Sequence, residues 1–323
     1  MKAAAVDIGT NSVRLLVAEV EGGEGGPLLR TLHRRMVITR LGRGVDREGR
    51  LDPEAEERTL RVLREYRELL GAEGVRAVEA AATSAARDAS NAAHFLERAE
   101  EVLGVRPRVI SGEEEAVLSY LGATYDLGKP PESFGLILVV DIGGGSTEFI
   151  LGRGKRVLEA RSIDVGCVRM AERFLSSDPP LPAELQRMDE YLRAELSVLV
   201  EGMGHPRPGL AVGLAGTVTT LAGIRLGLSE YDGEAIHHTW LTRSQVEEEY
   251  QRLASLPLEG RKRYMRLEQD RADVIVGGCA VLNAVTTCFG LERILVSEKD
   301  ILDGLVLRAA GTRCPERKGN EVS

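Results

Sequence analysis

Two stretches place an aspartate, a glycine-containing turn and small polar side chains at the end of an apolar run. They are Asp7-Ile8-Gly9-Thr10-Asn11-Ser12 and Asp141-Ile142-Gly143-Gly144-Gly145-Ser146-Thr147. Consecutive glycines carry no side chains to stop backbone N–H groups from converging on one point, and such a nest of amides binds anions, phosphate above all. Thr10, Asn11 and Ser12 add donors to the first turn, and Ser146 and Thr147 to the second. Asp7 and Asp141, at strand ends, are placed to hold a Mg²⁺ ion or its water shell. Residues 6–12 (VDIGTNS) and 140–146 (VDIGGGS) agree at five of seven positions and lie 134 residues apart, about one domain. This predicts two related domains whose loops face each other and clamp a phosphate chain with its metal.

Other residues extend that chemistry. Ser111-Gly112 followed by Glu113, Glu114 and Glu115 reads as a turn opening a helix, where acids are favoured by the macrodipole. A carboxylate there, facing a metal-bound phosphate, can take the proton of an attacking water. The residues alone do not choose among the three glutamates. Arg87 and Arg271 are candidates for bidentate phosphate contacts, and the glycine-rich turn Val212–Thr220 fits a further nucleotide- or phosphate-binding edge. Residues 30–50 hold seven arginines against Asp46 and Glu48, a local balance of +5. That segment is either a solvated hairpin face or a landing strip for a polyanion. No Walker-type loop or dinucleotide fingerprint competes, and His237-His238 lacks any metal-ligand spacing.

These residues need elements to hold them. Leucines at helical spacing predict helices over Pro53–Leu70 and around Leu185–Leu199, with another over Asn91–Leu103. Asp52 and Pro53 suit a helix start. Helices interleaved with strands predict α/β architecture. The Pro-rich Lys129–Ser133 stretch marks the boundary between domains over 1–127 and 128–311, leaving 312–323 as a tail. With 323 residues, 43% apolar and 28% charged, the chain reads as a folded two-domain protein. A net charge of −8 gives no reason to expect nucleic acid as a partner. Four cysteines without a CxxC pair indicate neither a disulfide framework nor zinc. No signal peptide is expected. The uncharged Val274–Leu291 stretch reads as a buried helix rather than a membrane span, giving a cytoplasmic protein with no membrane partner.

Taken together, VDIGTNSVRLLV (6–17), ATSAARDASNAAHFLERAE (82–100), ISGEEEAVLSYLG (110–122), VVDIGGGSTEFI (139–150), GLAGTVTTLA (213–222) and RADVIVGGCAVL (271–282) resemble the exopolyphosphatase / guanosine pentaphosphate phosphohydrolase (Ppx/GppA) family. The resemblance spans roughly residues 3 to 311. It implies two ribonuclease-H-like domains of the actin and sugar-kinase superfamily with an interdomain cleft, and Mg²⁺-dependent attack of water on a terminal phosphoanhydride. It assigns the catalytic base to Glu115 and the metal-associated acids to Asp141 and Glu148, beside the Asp7 read from the first turn. Phosphate binding falls to Thr10–Ser12, Gly143–Thr147, Arg87 and Arg271. It also implies that a last helix, near 299–311, packs on the first domain, and that the protein forms a homodimer. The chain has no counterpart to the helical C-terminal domains of longer members, so short polyphosphate or guanosine pentaphosphate is expected as substrate. A kinase of the same superfamily would need a carbon-substrate acid that nothing here identifies. A non-catalytic alarmone sensor is the remaining alternative.

Overall fold

Strand β1 (Lys2–Ile8) is buried on both faces, as the run KAAAVDI requires, and the computed structural model, which describes residues 1–23 and 26–312, arranges the first of two sheets around it. After β1 come β2 (Ser12–Gly23), β3 (Gly26–Ile38), α1 (Val45–Glu48), α2 (Pro53–Ala72), β4 (Ala77–Ala82), α3 (Ser84–Asp88), α4 (Ala92–Leu103), β5 (Arg108–Val109) and α5 (Gly112–Thr124). The chain continues with β6 (Leu136–Ile142), β7 (Thr147–Arg153), β8 (Arg156–Ile163), α6 (Cys167–Phe174), α7 (Pro182–Gly202) and β9 (Leu210–Leu214). It ends with α8 (Ala215–Leu226), α9 (Gly233–Ile236), β10 (Trp240–Thr242), α10 (Arg243–Ser255), α11 (Leu258–Met265), α12 (Ile275–Cys288), β11 (Arg293–Val296) and α13 (Ile301–Ala309). One unit comprises Met1–Lys129, Lys155–Val157 and the described residues from Lys299 onward; the other comprises Pro130–Gly154 and Leu158–Glu298. Beyond Thr312 the expected tail, with Cys314, lies outside the described residues.

Both units are α/β with a mixed sheet. The first has the order β3-β2-β1-β4-β5, with β1–β2 and β2–β3 antiparallel and β1–β4 and β4–β5 parallel. The second has the order β10-β11-β9-β6-β7-β8, with β6–β7 antiparallel and β6–β9 and β9–β11 parallel. Without its edge strand β10 it repeats the order of the first sheet. The seven-residue repeat thus marks a repeated architecture. The register carries the repeat further: Asp7 stands opposite Arg14, and 134 residues on, Asp141 stands opposite Glu148.

In the first unit, alternate residues of β1 serve two cores, as strand pleating requires. Ala4, Val6 and Ile8 meet Leu60, Leu63 and Tyr66 of α2 and Phe95 of α4, whereas Ala3 and Ala5 meet Leu118 of α5 and Leu302, Leu305 and Val306 of α13. Asp52 caps α2 by accepting from the Ala55 N–H at 2.9 Å, with Pro53 in the first turn, where its missing N–H costs nothing. Helix α4 begins at Ala92 rather than Asn91. The Asn91 side chain instead clamps Leu51, accepting from its N–H and donating to its C=O, and also donates to buried Glu56.

Helices α5 and α13 cross backbone to backbone. A Cβ at Gly122 would lie 1.8 Å from the Asp300 carbonyl oxygen, and one at Gly304 would lie 2.1 Å from that of Leu118. In the second unit, α12 is buried along most of its length against α7 and α10, which explains the uncharged 274–291 stretch. Among the described residues no helix is long and apolar enough to cross a membrane.

The 30–50 segment is not one uniform basic strip. Residues up to Ile38 pair with β2, after which the chain turns and enters α1. Arg30 pairs with Glu19 at the surface, and Arg34 pairs with buried Asp303.

Candidate active site

The two glycine turns are built alike. In the first unit Gly9 N–H donates to Ser12 C=O, and in the second Gly143 N–H donates to Ser146 C=O, each at 3.0 Å. What lies behind each turn fixes which way its peptides face. The carbonyls of Gly143 and Gly144 accept from Cys167, Val168 and Arg169 N–H at the start of α6, and the Gly145 carbonyl accepts from Arg169 Nε at 2.8 Å. Thr147 Oγ1 donates to the Val165 carbonyl, a bond that fixes the far end of the turn. With these carbonyls tied to α6, the N–H groups of Gly144, Gly145 and Ser146 meet no main-chain acceptor among the described residues. Unspent amides on a glycine turn form an anion-binding nest.

Gly166 lets α6 come this close. A Cβ there would lie 2.3 Å from the Gly144 carbonyl oxygen and 2.5 Å from Gly145 N. In the first unit the turn after β3 does the same work. Gly42 N–H donates to Thr10 C=O, and Thr39 and Arg40 N–H both donate to Asn11 C=O. A Cβ on Gly42 would lie 2.3 Å from Thr10 Cγ2. Thr10 and Asn11 are buried, and Asn11 Nδ2 donates to no acceptor.

The acids differ between units. Asp7 is buried, and its Oδ2 accepts from Arg14 Nε at 2.9 Å and Nη2 at 2.7 Å. Its Oδ1 is buried and accepts no hydrogen bond. Burial pushes the Asp7 carboxyl above its usual range against the pull of Arg14. Asp141 and Glu148, as direct partners in an antiparallel pair, leave the same face of the β6–β7 ribbon, and both are buried. Glu148 Oε1 accepts from Ser162 Oγ at 2.7 Å.

Among the described residues no three His, Cys, Asp or Glu side chains are grouped to cage a metal. One or two carboxylates, completed by water and phosphate oxygens, are the donor set that suits Mg²⁺. The Asp7 oxygen in the first unit, and the Asp141–Glu148 pair in the second, are each carboxylate donors of that kind.

The three glutamates at the start of α5 have different surroundings. Ser111 caps the helix by accepting from Glu114 N–H. Glu113 is exposed. Glu114 accepts from Arg108 at 2.5 Å and Arg308 at 2.6 Å. Burial works to raise its carboxyl, but these two arginines outweigh it and hold the carboxyl below its usual range. Glu115 is buried, with Oε2 3.6 Å from Arg87 Nη1. Arg87 is anchored there by donating to the Ile110 carbonyl at 3.2 Å. The structure therefore brings Arg87 and Glu115 together and commits Glu114 to an ion pair.

Arg271 belongs to the third turn. Its guanidinium lies where a Cβ of Gly216 would be, 2.2 Å from Nη1, and its Nε donates to Glu268 at 3.0 Å. Thr220 donates to the same glutamate. The turn joins β9 directly to α8 through Ala215 at φ 66°, a left-handed conformation that costs a non-glycine residue energy and is typical of functional turns. Sequence reasoning missed Arg14, Gly166, Arg169 and Glu268. Arg14 had a signal, since it occupies the position 134 residues before Glu148. Gly166 and Arg169 had none, because only the fold brings α6 behind the glycine turn.

Three comparisons bear on this chain. The model of the Ppx/GppA phosphatase family matches residues 16–312. Exopolyphosphatase 2 of Mycobacterium tuberculosis is 40% identical over 319 residues, covering 96% of this chain and 99% of the relative. Among solved structures, the Ppx/GppA family member of Aquifex aeolicus is 35% identical, with a TM-score of 0.80 over 96% of this chain and 97% of that one. An exopolyphosphatase from Cytophaga hutchinsonii is 26% identical, with a TM-score of 0.87 over 98% and 100% of the two chains.

Proposed function

The chain belongs to the Ppx/GppA phosphatase family and is a hydrolase acting on phosphoanhydrides, and from that premise we propose that it removes terminal orthophosphate from inorganic polyphosphate by Mg²⁺-dependent attack of water. The observation that carries this reading is the second glycine turn. Its carbonyls are tied to α6, so the amides of Gly144, Gly145 and Ser146 remain for phosphate oxygens.

Phosphoryl transfer asks a protein mainly for positioning and for charge opposite the oxygens that gain it. The Gly144, Gly145 and Ser146 amides and the Thr10–Ser12 donors bind phosphate oxygens. Arg87 and Arg271 add cationic donors, each fixed by its own hydrogen bonds. Glu115 takes one proton from the attacking water as the new O–P bond forms, and the anhydride bond breaks with its electron pair staying on the shortened chain. When bound, Mg²⁺ would offset charge on the phosphate oxygens, with Asp141, Glu148 and Asp7 holding it or its waters.

The test is phosphate release, with Mg²⁺, from short polyphosphate, long polyphosphate and guanosine pentaphosphate in parallel. Polyphosphate is expected to be the better substrate, and short chains to be hydrolysed at least as fast as long ones. Release from guanosine pentaphosphate alone would move the reading to the nucleotide. Tight binding of guanosine pentaphosphate with no release from any of the three would make the protein a sensor.

A further inference from the structure

An alternating ladder of charge runs from the first glycine turn to α13. Arg14 offers Nε and Nη2 to a single oxygen of Asp7, Oδ2, while its Nη1 donates to Asp300 Oδ2. Asp300 also lies 3.8 Å from Arg34, which donates to Asp303. Asp7, Asp300 and Asp303 are all buried. Asp300 has a second task, since its Oδ1 caps α13 by accepting from Leu302 N–H at 2.9 Å. Its carboxylate is therefore fixed to the end of a helix that Gly304 seats directly on α5.

A guanidinium presenting Nε and Nη2 to a carboxylate ordinarily forms a fork, with one hydrogen bond to each oxygen. Here both donors fall on one oxygen, and the other, Asp7 Oδ1, is buried and accepts no hydrogen bond. The remaining donor, Nη1, goes to Asp300 on the other edge of the guanidinium. We propose that Asp300, acting through Arg14, is a positioning residue that keeps Arg14 from engaging both Asp7 oxygens and so holds Asp7 Oδ1 open for a divalent cation or its water. The inference rests on the hydrolase reading above, in which Asp7 serves the metal.

Asp300→Asn tests it in the full chain, because asparagine still caps α13 but no longer draws Arg14. Asp303→Asn is the control, an equally buried rung whose carboxylate accepts from Arg34 and from the Asp300 N–H. Positioning partners behind a metal ligand are commonly worth about 10- to 100-fold in affinity or activity. Asp300→Asn is thus expected to lower kcat about tenfold with KM within about twofold, and to weaken Mn²⁺ binding, read by electron paramagnetic resonance, by a similar factor. Asp303→Asn should move neither beyond about twofold, whatever it does to the melting temperature.

Equal effects of the two variants, or unchanged Mn²⁺ binding in Asp300→Asn, would overturn the proposal. Should Asp300→Asn fail to fold, Asp300→Ser replaces it, since serine also caps a helix and cannot draw the guanidinium. Weaker Mn²⁺ binding with a lower kcat is then expected, and unchanged Mn²⁺ binding would count against the proposal. Wild type that releases no phosphate defeats the hydrolase reading by itself. The Mn²⁺ comparison between Asp300→Asn and wild type then still decides the role of Asp300.

Discussion

Glu115→Gln is expected to slow release of terminal phosphate by about 10³-fold while leaving KM within about threefold, the usual reach of a general base being about 10² to 10⁴. Glutamine keeps the size of the side chain and an oxygen to face Arg87, so the fold and the phosphate donors persist while the proton acceptor is lost. Glu114→Gln is the comparison. It breaks the pairing with Arg108 and Arg308, which ties α5 to β5 and α13, so it should lower the melting temperature and change kcat by less than about fivefold. Equal losses in the two variants would mean that the start of α5 matters only for structure. Full activity in Glu115→Gln would mean that the water gives its proton elsewhere.

Gly166→Ala is expected to be the second most damaging change, although Gly166 touches no substrate in the proposed reaction. Its φ of −120° and ψ of 166° suit any residue, so the effect is steric. The added carbon would sit 2.3 Å from the Gly144 carbonyl oxygen, 2.4 Å from its carbon and 2.5 Å from Gly145 N. All three are backbone atoms of the turn proposed to bind phosphate, so the turn itself must shift. Displacement of a reacting group by about 1 Å can cost about 10²-fold in rate, and overpacking typically costs about 1–3 kcal/mol. We therefore expect kcat/KM to fall by about 10²-fold, with a stability loss in that range. Gly202→Ala, where an added carbon meets nothing within 4 Å, should leave both quantities unchanged. An active Gly166→Ala protein would show that the turn tolerates movement and is not the nest that binds phosphate.

Much of the fold was legible in the sequence because it was written twice. The agreement between residues 6–12 and 140–146 marks the point at which each sheet's central strand delivers its turn, and the strand orders around β1 and β6 repeat accordingly. Helix α2 was legible from Asp52, Pro53 and its leucines, because capping and amphipathic spacing are local. What could not be read is set by contacts remote in sequence. Seven arginines in 30–50 look alike along the chain, yet Arg34 spends its charge on Asp303, which follows some 270 residues later. Of three adjacent glutamates, the partners of Glu114 arrive from β5 and from α13, so only the folded chain separates it from Glu115. Asp7 and Asp141 look equivalent within their heptads. Two residues further on, Arg14 stands where the second copy has Glu148, which gives the first aspartate an ion pair and the second a like-charged neighbour.

Attack of water on the terminal phosphorus fixes where its oxygen must end. Hydrolysis of polyphosphate in oxygen-18 water, followed by mass spectrometry of both products after a single turnover, tests this most directly. One oxygen-18 atom is expected in each released orthophosphate and none in the shortened chain, whose bridging oxygen comes from the substrate. Label on the shortened chain, with unlabelled phosphate released, would place the attack on the inner phosphorus, and label in neither product would exclude water as the nucleophile; either result would contradict the mechanism proposed for this protein.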